Sequence, residues 1–407
     1  MELIHERCAG LDVHRDTVVA SVRIASGKEV KRETETFSTT TKELLRLGDW
    51  LTEHGVTHAV MESTGVYWKP VWQVLESFIE LSLANASEVK NLPGRKSDVS
   101  DAEWLADLLA HGLLRRSFVP ERPIEELRDL TRTRRQTVRE ITRHAQRIDK
   151  LLQGANIKLR SVLSGVLRES GKAILRAMVS GENDPKKLAN LAKGTARNKR
   201  AQLEEALDGF VTGHHRFLLG QHLDAVEHLE GMVAAIEARI DEVLRPFAEA
   251  AKLLTTIPGV SDTAARIIIA EVGVDMGRFP TAGHLVSWAG LCPRLDESAG
   301  KHRSTKLRKG NSWLKTALVQ CAWSAIRSPG YLRARYHRVR SRAGKMKAII
   351  AVARTMLIAV YYMLSDNQTY RDLGEAFLEA RDKERIARAL TRRLARLGYE
   401  VELRPAA

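Results

Sequence analysis

The sequence predicts an α/β layer followed by an all-α remainder. Between residues 8 and 84, three β-branched runs precede a helix–strand–helix–strand alternation, the order of a sheet with helices packed on it. Beyond Glu125, two long polar stretches carry narrow apolar seams at helical spacing, and the chain after Ala251 reads as mostly helical.

Taken in order, CAGLDVHRDTVVASVRIA over residues 8–25 reads as a hairpin, and a third strand from about Val30 to Phe37 follows the Ser26-Gly27 turn. Thr39, Thr40 and Thr41 offer N-caps to an amphipathic helix ending near His54. Val56 to Glu62 is a short apolar strand, Gly65 to Phe78 alternates at helical period, and Ile79 to Ala84 is a last strand. After the Asn91-Leu92-Pro93-Gly94 turn, a helix is expected from Asp98 onward. Pro120 and Pro123 close this domain, so the chain divides into residues 1–120, 121–250 and 251–407. In the second segment the Arg-rich helix from Glu125 to about Gly154 has a seam of Leu127, Leu130, Val138, Ile141, Ile148, Leu151 and Leu152. A second helix from about His215 to Phe247 has a similar seam, so the two read as coiled-coil or hairpin partners. Residues 160–214 carry no recognisable motif.

The 407 residues hold 65 Lys+Arg against 50 Asp+Glu, a net charge of +15. Fifteen of those basic residues lie between Lys301 and Arg354, and no Asp or Glu occurs between Ser298 and Ser365. One region therefore carries the whole excess, which is the footprint of a polyanion partner, nucleic acid above all. A solvated helical face would intersperse Glu. Lys301, Arg303, Lys306, Arg308, Lys309, Arg338, Arg340 and Arg342 are the candidate nucleic-acid-binding residues, with Trp313, Trp323, Tyr331 and Tyr336 interleaved; core packing is the alternative for the aromatics, most of all for Trp323. The MELIHERC opening is not a signal peptide, and the apolar stretch Ala348 to Leu364 is short for a span and carries Arg354, so no membrane helix is expected. Three cysteines without a CxxC pair point to a reducing, cytoplasmic setting.

Asp12 ends the first strand and Glu62 the fourth, while Asp98 and Asp101 lie three apart at a helix start. Clustered carboxylates repel and call for divalent cations, and hard oxygen donors suit Mg²⁺, two ions per site, in phosphoryl chemistry. Each taken singly has a structural alternative: an Asp after a strand is a turn former, and Asp98 is a good N-cap. Asp16 is a spare candidate. Ile257-Pro258-Gly259-Val260-Ser261 is similar to a helix-hairpin-helix turn, or else is a plain helix break. Ser298, in PRLDESAGK, stands beside Gly where loop formers are common. A nucleophilic role would need activation by a base or a metal, and metal held by the distant carboxylates would meet that need. His214, His215, His222 and His228 read as residues of an exposed polar helix, with no zinc site implied.

GLDVHRD, VMESTGVYW, KSDVSDAEWLADLL, TTIPGVSDTAA and SWAGLCPRLDESAGK, in this order, resemble from end to end the transposases of the insertion-sequence family numbered one hundred and ten, the bridge-RNA-guided DEDD recombinases. The resemblance implies a RuvC-like domain of ribonuclease H fold in residues 1–120, a central coiled coil in 121–250 and a C-terminal transposase domain in 251–407. It implies that Asp12, Glu62, Asp98 and Asp101 bind the metal and that Ser298 attacks a DNA phosphodiester to give a covalent phosphoserine. Partners implied are element-end and target DNA, a non-coding bridge RNA, and a second copy in a homodimer that assembles to a tetramer. The rival reading within enzymology is a RuvC-like hydrolytic endonuclease or Holliday-junction resolvase. A non-catalytic architectural protein would leave the four acids without a purpose.

Overall fold

Continuous runs of buried residues mark β1 (Arg7–Val13) and β2 (Thr17–Ser26), which form an antiparallel hairpin in the computed structural model, with Asp12 opposite Val19. The structure describes residues 3–27, 29–63, 65–89, 100–293, 296–298, 301–304, 306–381 and 383–402. β3 (Glu29–Ser38) extends the meander, and α1 (Thr41–Glu53) follows. β4 (His58–Glu62) returns parallel to β1, then come α2 (Trp68–Leu75), β5 (Glu80–Ala84) parallel to β4, the short α3 (Ala86–Val89) and α4 (Asp101–Ala110). The result is a mixed five-stranded sheet in the order β3-β2-β1-β4-β5.

Local chemistry trims several expected boundaries. Gly65 takes a φ of +57°, and α2 starts only at Trp68. Thr40 occupies the N-cap of α1 without a capping bond from its side chain, which is 3.0 Å from the Ser38 hydroxyl. The helix expected from Asp98 begins at Asp101, because the Ser100 side chain accepts from the amide of Glu103 and caps it. Asp98 lies outside the described residues.

The sheet is covered on both faces except at β3, where Phe37 is the one buried residue. Ala9, Leu11, Val13, Val18, Ala20, Val22 and Met61 point to one side, where Leu44, Leu47 and Leu51 of α1 and Val71 and Leu75 of α2 cover them. Cys8, Val60 and Ala84 point to the other, under Leu105, Leu108 and Leu109 of α4. Each fully buried leucine contributes about 1.5–3 kcal/mol through removal of apolar surface from water. The second face has one tight constraint. A Cβ on Gly10 would stand 2.0 Å from the carbonyl oxygen of Ala102 and 2.6 Å from the amide nitrogen of Ala106, so α4 lies directly on the backbone of β1.

From Pro120 the chain forms a second unit, largely α-helical. α5 (Arg122–Gly154) leads through the short α6 (Leu159–Val162), α7 (Glu169–Val179), α8 (Pro185–Asn190) and α9 (Arg200–Ala206) to α10 (Gly213–Leu244). α5 and α10 pair antiparallel: Arg134 donates to Glu237 at 2.7 Å near one end, and His144 meets His222 at 3.2 Å further along. The motif-free residues 160–214 fold as a helical cap whose Leu163, Ile174, Leu175, Leu188 and Leu203 share a core with Ile148 and Leu152 of α5 and Leu219 and Leu223 of α10. After α11 (Ala248–Thr255), α12 (Asp262–Val272) and α13 (Ala282–Trp288) comes a two-stranded ribbon, β6 (Asp296–Ser298) and β7 (Lys301–Ser304). α14 (Ser312–Ala325), α15 (Tyr331–Ala343), α16 (Lys345–Asp366), α17 (Phe377–Arg381) and α18 (Lys383–Arg396) complete the unit. With 22 residues, α16 is long and apolar enough to cross a membrane by length and composition alone. Here Ile349, Val352, Met356, Leu357 and Val360 are buried and Arg354 is exposed, the pattern of a core helix.

Gly10→Ala is expected to lower unfolding stability by about 1–3 kcal/mol, since overpacking must push α4 off β1. Urea denaturation of both proteins measures it, and an unchanged midpoint would contradict the close contact.

Candidate active site

The parallel pairing of β1 with β4 sets Leu11 beside Met61, so the next residues, Asp12 and Glu62, occupy matching ends of neighbouring strands. Adjacent strands lie about 4.8 Å apart and register-matched residues share a face. That face is the one on which α4 lies. Cys8 Sγ donates to the carbonyl of Ala106, and Gly10 lies against Ala102, so progress along β1 is progress towards the N-terminus of α4. Asp12 is the next residue of β1 on this face, and Asp101 is the first residue of that helix. The positive end of the helix dipole favours carboxylates there.

The Asp12 side chain is 27% exposed, and its Oδ2 is 3.1 Å from Nε2 of His14, a neighbour not anticipated from the sequence. Glu62 is half-buried and Asp101 exposed. Among the described residues no group of three or more His, Cys, Asp or Glu side chains stands close enough to hold a metal ion. The paired oxygen donors of Asp12 and Glu62 nevertheless fit a hard divalent cation in donor type and strand placement. Another acid of α4, Asp107, has a different task. It accepts from Arg23 at 2.9 Å and from Arg32 at 3.0 Å, tying α4 to β2 and β3. The thiol of Cys8 is pushed up to about 11 by burial, as is that of Cys321, which marks both as packed thiols.

In the second unit Ser298 is the last residue of β6 and pairs with Lys301, the first of β7. The ribbon's stem closes at a bridge between Pro293 and Leu307, with the amide of Arg308 donating to the carbonyl of Cys292 at 3.3 Å. The side chains of Ser298, Lys301 and Arg303 lie outside what is described. Lys306, Arg308, Lys309, Arg340 and Arg342 are exposed, in keeping with an anion-facing surface. Arg338 is partly committed inside the fold, where it donates to the carbonyl of Leu378 at 3.2 Å. Tyr336 is buried against Trp323 and Tyr331 packs on Phe377, so these aromatics serve the core. The turn before α12 is built for packing too: Gly259 has φ +84°, and a Cβ there would meet the carbonyl oxygen of Cys321 at 2.4 Å.

The arginines of α5 divide between two roles. Arg132 grips the buried Glu271 of α12 with two bonds of 2.8 and 2.7 Å, and Arg128 donates to the carbonyls of Ala270 and Glu271. Burial lowers the pKa of Arg128, and Glu271 opposes that shift. Further along, Arg135 and Arg139 join Arg132 around the ring of Trp313 at 5.4–5.8 Å. Burial and then the charge of Arg139 lower the pKa of Arg135. Of the three guanidinium groups around this indole Arg132 is engaged by Glu271, and the other two beside the ring make a surface suited to phosphates and stacked bases. The signals for Glu271 were an acid inside the apolar run Ile267-Ile268-Ile269-Ala270 and arginines four apart on α5.

Residues 9–157 match a transposase family, the IS110-type DEDD transposases, and residues 251–337 match the transposase IS116/IS110/IS902 family. The chain belongs to the IS110/IS902 family of bacterial transposases. It is 34% identical over 148 residues to an IS110 insertion-element protein of Streptomyces coelicolor, 36% of either chain. It is 26% identical over 331 residues to an IS900 insertion-element protein of Mycobacterium paratuberculosis, covering 72% of this chain and 80% of that one. It is also 26% identical over 196 residues to the pilin gene-inverting protein of Moraxella bovis, covering 45% and 58%. The chain thus spans between 36% and 58% of the length of the first of these curated relatives and of the Moraxella protein.

In this family member the histidines of α10 are not all surface residues. His222 is partly buried beneath His144, with Nδ1 atoms 3.2 Å apart, and Arg143, Arg147 and His228 line the adjoining groove. Burial first, then His144 and Arg147, lower the pKa of His222 below its ordinary 6.5. Below that pH the unfolded chain takes up a proton that His222 resists in the folded chain, so this contribution to stability is intact above pH 6.5 and falls on acidification. Thermal unfolding at pH 7.5 and 5.5 should show a smaller acid-induced loss for His222→Gln than for the parent (about those pH values to bracket the titration). An equal loss would assign the pH dependence elsewhere.

Proposed function

We propose that the chain cuts and rejoins DNA during movement of an insertion sequence, through a covalent phosphoserine intermediate on Ser298. The single observation that carries the reading is the placement of Asp12 and Glu62 at matched ends of parallel β1 and β4, on the face that α4 crosses. Residues 1–120 act as a RuvC-like, ribonuclease H-type domain, 121–250 as a coiled coil and 251–407 as the transposase domain. Asp12, Glu62, Asp98 and Asp101 hold Mg²⁺, two ions per site. When bound, those ions supply Lewis acidity that eases ionisation of a hydroxyl and offsets charge on phosphate oxygens.

Ser298 contributes the nucleophile. Its Oγ forms a bond to phosphorus as the bond from phosphorus to the 3′ oxygen breaks, and the serine proton ends on the released 3′-hydroxyl. Resealing is the reverse attack by a 3′-hydroxyl, so no phosphodiester energy is lost to water. Lys306, Arg308, Lys309, Arg340 and Arg342 bind backbone phosphates, joined by Lys301 and Arg303, while Arg135 and Arg139 with Trp313 bind a further stretch of nucleic acid. A structured bridge RNA reads sequence by base pairing, which suits a basic surface without a base-reading motif. Two copies pair the acids of one with the serine of the other, and dimers join as a tetramer. The alternative, a hydrolytic endonuclease or junction resolvase, uses the same acids with water. The similarity to a pilin gene-inverting protein of Moraxella bovis favours cutting with rejoining.

The protein, co-expressed with its native flanking non-coding sequence, is incubated with element-junction DNA and Mg²⁺ and run on a denaturing gel. A protein–DNA adduct is expected, reduced more than about a hundredfold in Ser298→Ala and in Asp12→Ala with DNA affinity largely kept. Cleavage without an adduct, unaffected by Ser298→Ala, would favour the hydrolytic reading.

A further inference from the structure

Glu271 is fully buried in a strongly basic chain, and among the described residues no other Asp or Glu is buried. Both oxygens are engaged: Oε1 by Arg132, and Oε2 by Arg132 at 2.7 Å and by Nδ2 of Asn311 at 2.6 Å. A buried ion cluster seldom stabilises a fold more than apolar side chains of equal volume would. What it adds is orientation, and the group it orients is Asn311.

Every polar atom of the Asn311 side chain is used. Oδ1 accepts from the amides of Trp313 and Leu314, both at 3.0 Å, which caps α14, while Nδ2 donates to Glu271. Asn311 also ends the returning limb of the stem that carries Ser298. One residue earlier, Gly310 lies so close to the outgoing limb that a Cβ would meet the amide nitrogen of Gly290 at 2.4 Å. The amide of Asn311 itself donates to the carbonyl of Trp288. Both limbs of the serine ribbon are therefore pinned within one residue of the Asn311–Glu271 bond. The same Arg132 that holds Glu271 stands 5.5 Å from the Trp313 ring, with Arg135 and Arg139 beside it.

We propose that Asn311 and Glu271 are positioning residues for the serine: the bond between them anchors the β6–β7 ribbon to α12 and α5, and so to the arginines around Trp313. This rests on the reading of Ser298 as nucleophile. Neither residue touches DNA in this scheme. Their effect is on where Ser298 is held when nucleic acid engages α5.

Asn311→Ser and Asn311→Asp test it, because each keeps an oxygen to cap α14 and neither can supply the amide donor to Glu271. Hydrogen–deuterium exchange on the full chain without DNA should be at least about fivefold faster across residues 291–310 in both variants, with α12 and α16 unchanged. At saturating element-junction DNA, adduct formation should be about 10–100-fold slower, while the Kd for that DNA stays within about twofold. Unchanged exchange across 291–310 would overturn the proposal, whatever the chemistry does. So would faster exchange with an unaltered adduct rate, or a slower rate explained by weaker DNA binding. An adduct that persists in Ser298→Ala would instead remove the serine reading, leaving exchange to judge the anchor by itself.

Discussion

The N-terminal unit depends on one close approach, that of α4 to the backbone of β1 at Gly10. With no side chain at that position, the helix descends until Ala102 and Ala106 meet the strand directly. Everything else on that face follows. Leu105, Leu108 and Leu109 reach Cys8, Val60 and Ala84, and Asp107 reaches Arg23 and Arg32 on the outer strands. The N-terminus of α4, with Asp101, is brought towards the end of β1 that carries Asp12. Two small alanines and a glycine thus set the height of a helix, and that height sets the reach of its first carboxylate.

The C-terminal unit is organised on a different principle. Its basic residues cannot all face a polyanion, because several are needed to satisfy polar groups inside the fold. Arg128 covers the carbonyls at the end of α12, Arg132 neutralises Glu271, and Arg338 serves the carbonyl of Leu378. Others, such as Arg340 and Arg342, are exposed. Net charge identifies the class of ligand, but only the packing separates arginines that bind it from arginines that build the scaffold.

Much of the fold was legible in the sequence. The runs of residues 8–37 and the two short segments at Val56 to Glu62 and Ile79 to Ala84 marked five strands in chain order, and the placement of Asp12 and Glu62 at strand ends needed only the period of two and a parallel pairing. The seams of α5 and α10 announced paired helices, as a coiled coil or a hairpin; α5 and α10 pair antiparallel, under a cap made from the motif-free residues 160–214 that no motif foretold. The partly buried histidines and the buried Glu271 were not legible, for one reason. Polar residues on long helices look solvent-facing until the neighbour across the interface is known, and His144 with His222, or Glu271 with Arg132, are separated by 78 and 139 positions. The start of α4 was misplaced because two capping residues, Asp98 and Ser100, stood two positions apart, and propensity cannot choose between adjacent caps.

α5 runs without interruption for 33 residues, about 50 Å at the rise of an α-helix. Near its start Arg128 and Arg132 hold Glu271, and near its end Ile148 and Leu152 are embedded in the helical cap. A rod of that kind acts as a ruler. It holds the helical cap at a set distance from Glu271, and so from the Asn311 that Glu271 orients.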